Sequence, residues 1–193
     1  MEWRGVVVTE DGSAPVVLTG GPGAGKTTLV RRLAEAGFEC APEVGRRIIR
    51  EQNLVGGRGL PWKDPELFAE LMLSQELSRY REIRSGSFPV FCDRGIPDIV
   101  GYLRTLDLPV PPHLDAAARR YRYHRVVLLA PFWPEIYRRD EHRLQPPEEA
   151  ERTCRAVWDS YVEYGYEVVP LPREGVERRA RFVRRVLGAS GAP

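Results

Sequence analysis

Between Gly20 and Thr27 the sequence reads GGPGAGKT, and the spacing of Gly20, Gly25, Lys26 and Thr27 satisfies G-x-x-x-x-G-K-[ST] in full. Glycines at these positions let successive backbone amides turn inward, so that Gly20, Gly21, Pro22, Gly23, Ala24 and Gly25 can form a concave nest for phosphate oxygens. A helix opening directly after the nest adds its unpaired amides and the positive end of its dipole to the same anion. Lys26 is then placed to reach the β and γ phosphates, Thr27 to ligate Mg²⁺ and Thr28 to meet the α phosphate. The ligand this chemistry calls for is ATP, with GTP as the other purine option.

A phosphate cradle needs further acids and cations. Asp93 closes the apolar run FPVFC, and a carboxylate leaving the C-terminal end of a parallel strand projects toward the ligand crevice, where it could hold Mg²⁺ or act as a base. Glu43 follows FECAP and precedes VGRRIIREQ, so it reads equally as a catalytic carboxylate or as the cap of that helix. Asp98 and Tyr102 lie shortly after Asp93 and are further candidates for contact with an acceptor. Arg138, Arg139 and Arg143, in IYRRDEHRL, could lay cations over a transferring phosphoryl group, or could pair with Asp140 and Glu141 on an exposed helix. The histidines show no ligand spacing.

Positioning these groups requires strands that alternate with helices. Five apolar runs fit strands: 16–18, 38–41, 88–92, 125–130 and 166–171. Short, nearly continuous apolar strands separated by helical patterns predict a parallel sheet covered on both faces, an α/β architecture. Asp64 and Pro65 mark the start of a helix to about residue 84, with Leu73, Leu77 and Tyr80 on one face. A second helix from about Pro147 places Ala150, Cys154, Val157, Tyr161 and Tyr164 along a buried seam. The last helix, from about Gly175, buries Val176, Ala180, Val183 and Leu187 and is expected to expose Arg178, Arg179, Arg181 and Arg185. The glycine-rich stretch 53–64 reads as a surface loop.

At 193 residues the chain is expected to form one domain over 1–193, with a core at about 15–187, an N-terminal extension or edge strand at 1–14 and a lid at about 134–147. A net charge of +2, with 42% hydrophobic and 29% charged residues, indicates neither disorder nor a nucleic-acid surface, and the arginines are dispersed rather than clustered. Three distant cysteines form neither a disulfide framework nor a zinc motif. No apolar run is long enough to span a bilayer, so a cytoplasmic location is expected.

The segments TGGPGAGKTTL, PEVGRRIIREQ, FCDRGIPDIVGYL, PFWPEIYRRDEHR and YVEYGYEVVPLP, taken in that order, resemble the P-loop family of AAA-domain ATPases of the NadR type. The chain is more distantly similar to deoxynucleoside and nucleoside monophosphate kinases. The resemblance implies a P-loop NTPase three-layer sandwich with a five-stranded sheet of order 2-3-1-4-5 and a helical lid. It also implies that Asp93 and Arg94 fill the kinase "DR" position and that Glu43 stands near the acceptor hydroxyl. Arg138, Arg139 and Arg143 would lie in the lid, and Pro172 and Arg173 beside the adenine. Two functions fit: a phosphotransferase moving a phosphoryl group from Mg-ATP to a small-molecule acceptor, and a regulatory switch that hydrolyses ATP or GTP slowly. The absence of an Asn-Lys-x-Asp motif weakens a guanine-specific switch.

Overall fold

The computed structural model of the protein describes residues 14–83, 89–137 and 146–188. Along them run β1 (Val16–Gly20), α1 (Lys26–Glu35), β2 (Glu39–Ala41), α2 (Val44–Val55), α3 (Pro65–Ile83), β3 (Val90–Asp93), α4 (Ile96–Thr105), α5 (Pro112–Arg120), β4 (Val126–Ala130), α6 (Pro147–Glu163), β5 (Glu167–Pro170) and α7 (Val176–Val186). The strands pair in the order β2-β3-β1-β4-β5, every pair parallel. This is the P-loop kinase order, and each strand falls within two residues of its expected position.

Side chains along a strand alternate between the faces of the sheet, and here both faces are covered. Val17, Val127, Leu129 and Val168 pack with residues of α4, α5 and α6, among them Val100, Leu114 and Val157. Val16, Leu18, Phe91, Leu128 and Val169 face the other way, onto Leu29 and Leu33 of α1 and Ala180 and Val183 of α7. The seam of α6 is as expected: Ala150, Cys154, Val157, Tyr161 and Tyr164 are all buried. It packs tightly on α4 at Gly101, where a Cβ would stand 2.8 Å from Val157 Cα.

The parallel register carries the functional segments to one edge. Leu18 pairs with Asp93 and Gly20 with Ala130, so the glycine loop, the turn after β3 and the segment after β4 leave the sheet together. The start of α3 is capped as the sequence predicts, with Asp64 Oδ1 accepting the Leu67 N–H at 3.0 Å. The apolar face of α3 holds Leu73, Leu77 and Tyr80, and also Glu76 and Arg79, both buried.

One expectation for α7 is corrected. Arg178, Arg181 and Arg185 are exposed, but Arg179 is 3% exposed. Its guanidinium meets the carbonyls of Ala24 and Pro172, which draw it inward beside Val176, Ala180 and Val183. Of the expected lid, only 134–137 and 146–147 are described, the former as a turn in which the Ile136 and Tyr137 amides donate to the Trp133 carbonyl. Arg138, Arg139 and Arg143 lie outside the described residues, as does the expected N-terminal extension apart from Ala14. Among the described residues no helix is long and apolar enough to cross a membrane.

Candidate active site

The glycine loop runs from the end of β1 into α1, with Gly23 and Gly25 at φ 74° and 78°, a region that side chains enter at a cost. Gly25 is the N-cap of α1, so Lys26, Thr27 and Thr28 form its first turn. Lys26 is buried, and its ammonium donates to the carbonyls of Gly20 at 2.9 Å and Gly21 at 2.7 Å. Burial and the neighbouring Arg94 charge pull its pKa down to about 8. Thr27 and Thr28 are exposed to the cleft that the loop borders.

A charged corner forms where β3 ends. Arg94 has φ 71°, rare for a residue with a side chain. Its Nε donates to Glu43 Oε1 at 2.9 Å, and its Nη1 to Asp98 Oδ1 at 3.0 Å and the Gly20 carbonyl at 3.2 Å. Glu43 occupies the N-cap position of α2 without capping it by its side chain, which goes instead to Arg94 and, at 3.4 Å, to Arg46. Burial opposes ionisation of Glu43, but Arg94, Lys26 and Arg46 together outweigh it and hold the carboxyl below the usual range.

Asp98 accepts from three donors besides Arg94: Thr19 Oγ1 at 2.5 Å, the Gly95 amide at 2.9 Å and Tyr161 Oη at 2.6 Å. Behind the corner, Arg79 donates to the carbonyls of Pro42 at 2.8 Å, Asp93 at 3.4 Å and Arg94 at 2.7 Å, and to Glu76 Oε2 at 2.5 Å. It thereby ties the ends of β2 and β3 together and holds the Arg94 backbone in its unusual conformation.

Glu43, Arg94, Asp98 and the loop residues 22–28 share one cleft of about 1110 Å³. Away from the loop its wall becomes apolar, through Ile49, Trp62, Phe68, Met72 and Tyr102. The Phe68 and Tyr102 rings meet edge to face with centroids 5.6 Å apart. The Tyr102 hydroxyl is buried with no hydrogen-bond partner, and burial pushes its pKa up. The structure therefore gathers most of the residues singled out in the sequence. Asp93 sits beneath them, buried and not itself on the cleft wall, with its pKa raised by burial and by the Glu43 charge. Arg173 is exposed, and Pro172 enters through its carbonyl, which Arg179 holds.

Thr19, Glu76, Arg79, Tyr161 and Arg179 were not legible as site residues. The available signal was a polar side chain at a position where the strand or helix period demands an apolar one.

Mg²⁺ takes hard oxygen ligands and keeps part of its water shell. The donors fit: the Thr27 hydroxyl is exposed at the loop, and Asp93 Oδ1 is buried without a hydrogen-bond partner. Among the described residues there is no cluster of three or more acidic, histidine or cysteine ligands that would hold a metal unaided.

The family model for an AAA domain matches residues 15–179. The chain belongs to the AAA-domain family. Among solved structures, this AAA-domain protein is similar to the NadR protein in complex with NR, at TM-score 0.71 and 22% identity over 94% of this chain and 54% of that one. It thus spans about half the length of NadR. A deoxyadenosine kinase from M. mycoides matches at TM-score 0.62 and 14% identity, over 88% of this chain and 96% of that one. Thymidylate kinase from Ehrlichia chaffeensis matches at TM-score 0.62 and 16% identity, over 91% and 99%. These likenesses establish a P-loop kinase-like fold. No curated protein matches the chain by sequence.

Proposed function

We propose that the protein is an ATP-dependent phosphotransferase whose acceptor is a hydroxyl on a compact, largely apolar small molecule. The observation that carries this reading is the continuity of the cleft, from the glycine loop past the Glu43–Arg94 pair into the apolar wall of Phe68 and Tyr102. One end suits a triphosphate and the other a small organic body, with an ionised carboxylate between them.

Charge favours a hydroxyl over a phosphate as acceptor. Arg94 is already balanced by Glu43 and Asp98 at 2.9 and 3.0 Å, and Arg46 also leans on Glu43. Among the described wall residues, Arg46 and Arg94 are matched by Glu43 and Asp98, and Glu76 is paired with Arg79 behind the wall, so Lys26 is the cation left for phosphate and the triphosphate takes it.

In the proposed reaction the acceptor hydroxyl attacks the γ phosphorus of ATP, Glu43 takes its proton, and the bond to the β–γ bridging oxygen breaks to release ADP. Arg94 orients Glu43, and Asp98, held by Thr19 and Tyr161, fixes Arg94. Lys26 meets the developing charge on the phosphates. Arg138, Arg139 and Arg143, which lie outside the described residues, are assigned the remaining stabilisation of the phosphoryl charge. Thr27 and Asp93 would hold Mg²⁺, which when bound would supply charge neutralisation on the phosphates.

ADP release measured against a panel of nucleosides, sugars and other hydroxyl compounds, and separately against nucleoside monophosphates, tests the proposal. Acceleration by a hydroxyl compound with stoichiometric phosphoryl transfer is expected. Slow turnover indifferent to every acceptor identifies a switch instead, and acceleration by monophosphates alone contradicts the hydroxyl assignment.

A further inference from the structure

Arg179 is a buried arginine whose contacts divide between two separate loops. Its Nη1 donates to the Ala24 carbonyl at 2.7 Å, and its Nε to the Pro172 carbonyl at 2.8 Å. Its Cζ lies over the Trp133 ring, 4.9 Å from the centroid. Nη2 is buried without a partner. No carboxylate among the described residues forms a salt bridge with it, and burial lowers its pKa. Keeping an unpaired cation at 3% exposure is costly, and a hydrophobic side chain would serve a merely structural helix better.

The carbonyls it holds explain its placement. In a trans-planar peptide the C=O and the following N–H point in opposite directions. Fixing the Ala24 oxygen on Arg179 therefore aims the Gly25 amide away from α7, toward the cleft that Gly25 borders. Gly25 is at φ 78°, where a side chain is strained, and a Cβ there would come within 3.1 Å of Arg179 Nη1, a tighter contact than side chains usually make. The Pro172 carbonyl fixes the Arg173 amide by the same geometry.

We infer that Arg179 is a positioning residue for the nucleotide, presetting one amide at its phosphate end and another at its base end, and joining both to Trp133. The inference rests on the proposed reading of the glycine loop as the triphosphate site, with Pro172 and Arg173 beside the base. Its effect is to make the two ends of the ligand bind as a unit, because a single rigid fork holds both loops. Lysine carries the charge but has no planar fork with which to bridge two carbonyls.

The test compares calorimetric affinity for Mg-ATP and for Mg-tripolyphosphate, which has no base, in the wild type, Arg179→Met and Arg179→Lys, with circular dichroism to confirm folding. The wild type is expected to prefer ATP by about tenfold or more, which corresponds to about 1.4 kcal/mol. Arg179→Met is expected to weaken both ligands and to bring the ratio to within about threefold of unity. Should the methionine variant not fold, Arg179→Lys carries the test, with tripolyphosphate affinity retained better than the preference for ATP. A merely structural arginine would lower the melting temperature and leave the ratio unchanged, and an unchanged ratio in a folded variant overturns the inference. Failure of the wild type to bind either ligand overturns the triphosphate reading itself, and this inference with it.

Discussion

Glu76 offers a perturbation whose sign and size both follow from the structure. Its carboxyl is 2% exposed, and burial, opposed by the Arg79 guanidinium at 2.5 Å, raises its pKa from 4.5 to about 7. Between those two values the folded chain holds a proton that the unfolded chain has released. Unfolding free energy therefore falls as pH rises, since the slope follows the protons bound in the unfolded state minus those bound in the folded one. The stability is full below pH 4.5 and lost by the time pH passes about 7, and the change is worth about 3 kcal/mol.

Glu76→Gln removes this titration while keeping the shape of the side chain. The assay is urea unfolding of both proteins at pH 4.5 and at pH 8, where other titrating groups are common to the two and cancel. The variant should gain about 3 kcal/mol on the wild type between these conditions, whatever packing cost the amide carries at either one. Parallel stability curves would refute the reasoning, and a relative loss by the variant at pH 8 would show that attraction to Arg79 outweighs burial.

Other outcomes concern the site. Lys26→Ala should abolish turnover and leave the far-ultraviolet circular dichroism unchanged, because the ammonium contacts loop carbonyls rather than the apolar core. With its pKa at about 8, Lys26 should make nucleotide affinity fall about tenfold from pH 7 to pH 9 by calorimetry, as the ammonium is lost. The unliganded protein should gain stability over the window from pH 8 to 10.5, where the unfolded chain binds the extra proton. Asp98→Asn should lower kcat by one to two orders of magnitude with little change in nucleotide KM, since it frees Arg94 from one of its two carboxylates, and an unchanged kcat in steady-state assays removes Asp98 from the positioning of Arg94. Arg139→Ala should likewise lower turnover more than nucleotide affinity.

How much of this the sequence disclosed depended on whether a residue works within its own segment or across several. The glycine loop was readable because spacing alone determines what a nest of amides and a following helix can bind. The strand order was accessible only through resemblance, as apolar runs specify strands but not their neighbours. Glu43 left two roles open, and the structure bears on one of them: its side chain goes to Arg94 and does not cap α2. Arg179 was placed on the exposed face because helical period cannot register two carbonyls from distant loops, at residues 24 and 172, that make burial of a guanidinium tolerable. Arg79 escaped notice for the same reason, its three carbonyl partners lying just after β2, at the end of β3 and in the turn after β3.

The central claim is that the loop from Gly20 to Thr27 holds the phosphates of a nucleoside triphosphate at the mouth of an acceptor cleft. Isothermal calorimetry of the purified protein with ATP and Mg²⁺ tests it most directly. The account predicts saturable binding at one site per chain, weakened at least tenfold when Lys26 is replaced by alanine. An absence of heat with either ATP or GTP, confirmed by equilibrium dialysis, would contradict it.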